Sequence, residues 1–158
     1  MEVETKSTRI MTATTDYSFQ EEQSYKFFKE IKNELGVTST QNIVKLVRAV
    51  LSHVRSTLSH EQASFVIRVL PDIFQLLFVT NWKYEKTSSS IKHLDELVYH
   101  IYLEDQQSND SLFTSEIDTL NAVIIILGKL DKFFGILGLN LFQYPLTQEL
   151  KQATNHSI

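Results

Sequence analysis

Apolar residues recur along this chain at the spacing of an α-helix. Between Ile43 and Leu58 they follow one another at three or four positions and therefore fall on one side of a helix. Similar stripes run through segments 19–35, 63–70, 91–101 and 120–130. The chain has only four glycines and two prolines, and such scarce breakers favour long helices over tight hairpins. The pattern predicts an all-α bundle or orthogonal array of about six to eight helices.

Polar residues before the stripes predict where several helices begin. Segments 38–41 and 59–62 both have the spacing of a capping box, in which a hydroxyl and an amide side chain satisfy free backbone N–H groups. Thr114 or Ser115 is predicted to cap a later helix, and the serines at 88–90 are predicted to cap the helix before it.

The chain is predicted to fold as one domain behind a tail. A length of 158 residues is typical of a single domain and allows a core without disulfides or metals. Residues 1–18 are rich in threonine, serine and glutamate and are predicted to be a flexible tail. The helical domain is predicted over 19–158.

Two segments that contain the prolines resemble each other. Residues 70–76 and 144–150 both place a proline after a large residue and a leucine five positions beyond that proline. An Ala-Val-aliphatic triplet lies upstream of each segment. This match predicts half-repeats at about 25–80 and 88–152, packed around a pseudo-twofold axis.

Composition narrows the classes of function. The chain has no cysteine, which excludes disulfides, zinc–thiolate sites and thiol catalysis. A net charge of -4 argues against a broad electrostatic grip on nucleic acid or anionic lipid. No signal-peptide pattern and no membrane-spanning apolar run occur, so a cytoplasmic protein without a membrane partner is expected.

Four polar side chains on one predicted helix are candidate metal ligands. His93, Glu96, His100 and Glu104 are three, four and four residues apart, and His and carboxylate groups can bind a borderline metal. A di-metal bundle would repeat this signature on a second pair of helices, and no such repeat occurs. A solvated polar face is the favoured interpretation, and neither a metal nor another cofactor is predicted.

A pocket between the two halves is a second candidate site. His53 and the single tryptophan, Trp82, are its predicted lining. His53 and His60 could also form an acid–base pair because imidazole titrates near neutral pH. No serine or acid is placed in the sequence to complete a triad, so no catalytic residue is predicted.

The segment before the last helix is unusually apolar. Surplus apolar surface is usually covered by a partner, so this segment is predicted to be an exposed protein-binding or dimer surface. Its candidate residues are Leu137, Leu139, Leu141, Phe142 and Tyr144.

A nucleic-acid surface is a further alternative. Lys45, Arg48 and Arg55 mark a basic side of one helix, and the segment 82–86 adds aromatic and basic residues. Cations can hold phosphates while aromatic rings stack on bases. The acidic total and the absence of a nucleic-acid-binding motif oppose this interpretation.

The chain resembles the bacterial "domain of unknown function 2267" family of small, two-part helical proteins. Segments 49–51, 59–63 and 70–78, followed by Trp82, carry the resemblance, which covers about 25–152. Two features depart from it: no proline follows Trp82, and 139–144 is more apolar than expected. The resemblance implies helices and a bacterial cytoplasmic setting, and it implies no chemistry.

These observations lead to a hypothesis and two alternatives. The hypothesis is a non-enzymatic helical protein-interaction module that forms a homodimer or binds another protein. The first alternative is a small-molecule-binding protein or an enzyme with a pocket between the halves. The second is a nucleic-acid-binding regulator.

Overall fold

The protein consists of helices joined by short connections. The structure is a computed structural model that describes the backbone of residues 2–80, 82 and 91–156 and the side chains of 19–80, 82 and 91–154. None of these residues lies in a β-strand, so the all-α prediction is confirmed. The described helices are α1 (Glu2–Leu35), α2 (Thr40–Ser56), α3 (His60–Val69), α4 (Asp72–Val79), α5 (Leu94–Gln107), α6 (Glu116–Phe134) and α7 (Tyr144–His156).

Helices α2 and α6 form the centre of the fold. They pack against each other, and α1 and α5 pack against both of them. Helix α4 covers another side of α2, and α7 covers another side of α6. The stripe predicted from Ile43 is buried on α2, and the matching stripe of α6 is buried from Ala122 to Leu130. Removal of these branched side chains from water drives the assembly of the bundle.

An aromatic cluster joins α1, α4 and the end of α6. Phe27 is fully buried, and its ring centroid lies 4.8 Å from that of Phe74 and 6.1 Å from that of Phe134. Phe28 stacks on Phe74 at 5.4 Å. Because these rings come from distant parts of the sequence, they fix α1 and α4 relative to α6.

Two of the predicted helix starts are confirmed and two are wrong. Ser59 and Gln62 form the predicted capping box, and Ser115 accepts the backbone N–H of Asp118 at 3.1 Å. At the start of α2 the cap is Ser39, one residue later than predicted, because its extended backbone lets its hydroxyl accept the N–H of Asn42. The prediction that the serines at 88–90 cap the next helix is also wrong, because α5 begins at Leu94 with His93 at its N-cap position.

Helix α1 begins earlier than the apolar pattern predicted. The pattern indicated a start near Phe19, whereas α1 begins at Glu2. No glycine or proline occurs before Gly36, so nothing in the sequence stops the helix from extending backwards. The flexibility of 1–18 and the division into a tail and a domain over 19–158 stay predictions, as do the half-repeats.

The chain turns sharply between α6 and α7. Gly135 follows α6 in the left-handed conformation with φ 70°, which glycine adopts without a steric cost. A 3-10 turn at Leu137–Leu139 follows, and the backbone N–H of Leu137 donates to Asp131 at 3.0 Å. This connection brings α7 back against α6.

Within the part of the chain that the structure describes, no helix combines the length and apolar character needed to span a membrane.

The aromatic cluster generates a stability prediction. Replacement of Phe27 by Ala should lower the free energy of unfolding by about 3–5 kcal/mol, because it leaves a cavity among buried rings. Tyr25 lies on the same helix but is exposed, so Tyr25→Ala should change that free energy by less than about 0.5 kcal/mol. Urea unfolding of both variants measures the difference. Equal losses would show that α1 does not contribute its Phe27 ring to the core.

Candidate functional site

A groove runs along the polar side of α2. It has a volume of about 600 Å³ and lies between α2, α5 and the connection from α5 to α6. Two ion pairs cross it. His53 Nε2 lies 2.7 Å from Glu104 Oε2, and Lys45 Nζ lies 3.8 Å from Asp110 Oδ2. The groove therefore has basic groups on its α2 wall and acidic groups on the opposite wall.

His53 is held at both ring nitrogens. Its side chain is only 13% exposed, and Nδ1 lies 2.8 Å from the carbonyl oxygen of Ala49 on the same helix. Both nitrogens thus lie within hydrogen-bonding distance of an oxygen atom. His53 is a structural bridge between α2 and α5 in this arrangement. The ring of His60 stacks on that of Trp82, with the ring centroids 5.0 Å apart.

Trp82 does not share the groove with His53, which corrects the predicted pocket. Arg55 lines the groove and also lies 5.7 Å above the Trp82 ring. The Arg55 guanidinium donates to the carbonyl oxygens of Phe78 at 2.6 Å and Thr80 at 3.0 Å. Because Arg55 binds the carbonyls at the end of α4, it occupies the space between the groove and Trp82.

The basic residues of α2 face acids in this groove. Lys45, Arg48 and Arg55 all line it, together with Glu104 and Asp110. Of these three, Lys45 pairs with Asp110 and Arg55 donates to backbone carbonyls, whereas Arg48 makes no ion pair with the described residues. Lys83, Tyr84 and Lys86 of the nucleic-acid alternative lie outside the described residues.

The four candidate metal ligands do not converge. Glu104 pairs with His53, and the ring of His100 contacts that of Tyr99. His93 precedes the first residue of α5, so it does not share a helix face with Glu96 or the others. No group of three or more histidines and carboxylates among the described residues could hold a metal ion.

His93 instead takes part in a contact between α5 and α7. His93 Nδ1 lies 2.7 Å from Glu149 Oε1, and the backbone N–H of Leu94 donates to Glu149 Oε2 at 2.6 Å. Glu149 therefore caps α5 from another helix, as a carboxylate does at the positive end of a helix dipole. Since the partners are 56 residues apart, no local pattern in the sequence could have indicated them.

The contact between His93 and Glu149 shifts the pKa values of both side chains. The hydrogen bond to Glu149 is the main cause of the raised pKa of His93, and the charges of Glu96 and Asp95 raise it further. The hydrogen bond from the Leu94 backbone is the main cause of the lowered pKa of Glu149, and His93 lowers it further.

The apolar surface predicted before α7 is mostly part of the core. Leu137 and Phe142 are buried, and Leu139 and Leu141 are partly buried against the core. Only Tyr144 is largely exposed. The turn after Gly135 folds this apolar run inward, which corrects the expectation of an exposed patch there.

A different apolar surface is exposed on α3 and α4. We define the α3–α4 surface by the exposed side chains of Phe65, Val69, Ile73 and Leu76. The other exposed large apolar side chains among the described residues are dispersed over α1, α5, α6 and α7. Six of the eight residues of α4 are apolar, and this excess over one buried stripe was a signal that could have indicated the surface.

Comparisons of the chain with protein-family models and with curated proteins found no match.

The contact between His93 and Glu149 generates a pH prediction. The raised pKa of His93 means that its contribution to stability is complete below 6.5 and is lost as the pH rises through the raised value. The lowered pKa of Glu149 means that its contribution is complete above 4.5 and is lost as the pH falls through the lowered value. The pair should therefore stabilise the fold most between pH 4.5 and 6.5.

Melting temperatures measured across pH should show both the loss of the His93 contribution at higher pH and the loss of the Glu149 contribution at lower pH. His93→Gln should remove part of the loss of stability expected as the pH rises above 6.5, and Glu149→Gln should remove part of the loss expected as the pH falls below 4.5. His100 is exposed on the same helix and makes no ion pair with the described residues, so His100→Gln is the matched control. An identical pH profile for all three variants would contradict the assignment.

Proposed function

We propose that the protein is a non-enzymatic helical interaction module that binds a second copy of itself through the α3–α4 surface. The exposure of four large apolar side chains within twelve residues of sequence supports this proposal. Leu76 is 67% exposed although it lies one residue before the buried Leu77. Burial of such side chains in a dimer would remove apolar area from water, which stabilises the dimer by about 25 cal/mol for each Å² buried.

Charges on the same surface favour a second copy as the partner. Arg68 and Asp72 are both exposed and lie among the apolar residues of the surface. Arg68 also packs over the ring of Phe65 at 5.3 Å. In a twofold dimer the same surface meets itself, so Arg68 of each copy can face Asp72 of the other. The surface is thus complementary to itself in charge as well as in apolar character.

A second part of the proposal concerns the internal symmetry of the fold, its relatives and its cellular setting. We propose two similar halves, a relationship to the "domain of unknown function 2267" family and a bacterial cytoplasmic setting. The packing of α1 on α6 and of α5 on α2 supports the two halves, since a twofold relation would produce such a reciprocal arrangement. The resemblance of segments 49–51, 59–63 and 70–78 supports the relationship.

Sedimentation over a range of protein concentrations tests self-association. The protein should change from monomer to dimer as its concentration rises, and Leu76→Lys should raise the dissociation constant by at least about tenfold, because it places a charge in an apolar interface. Ile117 is 79% exposed on α6, away from the α3–α4 surface, so Ile117→Lys should leave the dissociation constant unchanged. A monomer at every concentration would overturn the proposal.

Charge exchange tests how the two copies are oriented. Arg68→Glu and Asp72→Arg should each weaken the dimer, because each variant places like charges opposite one another. The double variant should recover most of the lost affinity. Asp72→Arg also places a cation in the first turn of α4, which is unfavourable for the helix. Circular dichroism of each variant shows whether its helix content is unchanged. A double variant as weak as the sum of the singles would contradict the reciprocal pairing.

A further inference from the structure

We infer that the groove along α2 binds a small organic anion between its two ion pairs, with the anionic group on Arg48. This site is separate from the α3–α4 surface, and a different set of observations supports it. They are the length of the groove, the charge that remains between the ion pairs, and the apolar residues that line it.

The two ion pairs mark the ends of the site. Lys45 and His53 are eight residues apart on α2, which corresponds to about 12 Å along the helix axis. The volume of about 600 Å³ is within the range of small-molecule pockets. The groove therefore has room for a small molecule.

One arginine between the ion pairs has no acidic partner among the described residues. Arg48 lines the groove one turn after Lys45, and it makes no hydrogen bond or ion pair with the described residues. Asp105 also lines the groove, and its carboxylate accepts the backbone N–H groups of Leu112 at 2.8 Å and Phe113 at 2.9 Å. Because those amides already satisfy Asp105, the Arg48 guanidinium is the group that a ligand can pair with.

The chemistry of the lining selects an oxyanion on a short apolar body. A guanidinium presents a planar fork of donors that matches a carboxylate or a phosphate. Ile101, Leu112 and Phe113 contribute apolar area to the same groove. A short alkyl carboxylate or alkyl phosphate combines both features, whereas an inorganic ion would leave the apolar lining uncovered.

Titrations of the full-length chain at low salt test this inference. The probes are hexanoate, hexyl phosphate, inorganic phosphate and hexylamine. Their binding is followed through the ¹H–¹⁵N NMR chemical shifts of the protein. At least one of the two alkyl anions should shift resonances in 45–56 and 101–113 and should bind more tightly than inorganic phosphate. Hexylamine should cause no saturable shift there. The alkyl anion that binds identifies the oxyanion as a carboxylate or a phosphate.

Two variants connect the binding to Arg48. Arg48→Gln should weaken binding of the alkyl anion by about tenfold or more, because it removes a charge-assisted hydrogen-bonding partner. Lys92→Gln, at an exposed lysine that lies outside both the groove and the α3–α4 surface, should leave that affinity unchanged. Both alkyl anions failing to bind, or binding equally well to the Arg48→Gln variant, would overturn the inference. Since Arg48 lies outside the α3–α4 surface, sedimentation of this variant should match that of the unmodified protein.

Discussion

Helices α2 and α6 bury their apolar stripes in the same core, and the positions of the other helices depend on that burial. Helix α2 contributes Ile43, Val47, Val50 and Leu51 with essentially no exposure. Full burial of one such side chain contributes roughly 1.5–3 kcal/mol. Because the net stability of a domain is only about 5–15 kcal/mol, the loss of a few of these contacts would be enough to unfold it. Helix α2 is thus a rigid support for whatever its other side carries.

The two candidate sites use that support in different ways. The groove lies on the polar side of α2, where ion pairs to α5 and to the following connection hold its walls together. The α3–α4 surface lies on the two helices that follow α2 in the chain. Gln75 of α4 connects these helices, because its amide donates to the carbonyl oxygens of Ile67 and Leu70. A ligand in the groove and a second copy on the α3–α4 surface would therefore contact different residues of one rigid unit.

The sequence predicted those features that depend on neighbouring residues. The stripes of α2 and α6 and the caps at Ser59 and Ser115 are of this kind, because periodicity and capping act within a few residues. The contact between His93 and Glu149 could not be predicted, since only the packing of α7 brings Glu149 to the start of α5. The burial of Leu137 was also missed, because a continuous apolar run does not show which way it faces. The exposed residues of α3 and α4 were overlooked because they lie beside a buried stripe.

Native-state hydrogen exchange tests the central role of α2 and α6 most directly. If every other helix is held by this pair, the backbone amides of 47–51 and 123–127 should exchange only through global unfolding and be the slowest in the protein. The exchange rates of the two segments should also rise equally with denaturant concentration. Slowest exchange in α1 or α5, or clearly different opening free energies for α2 and α6, would contradict this account.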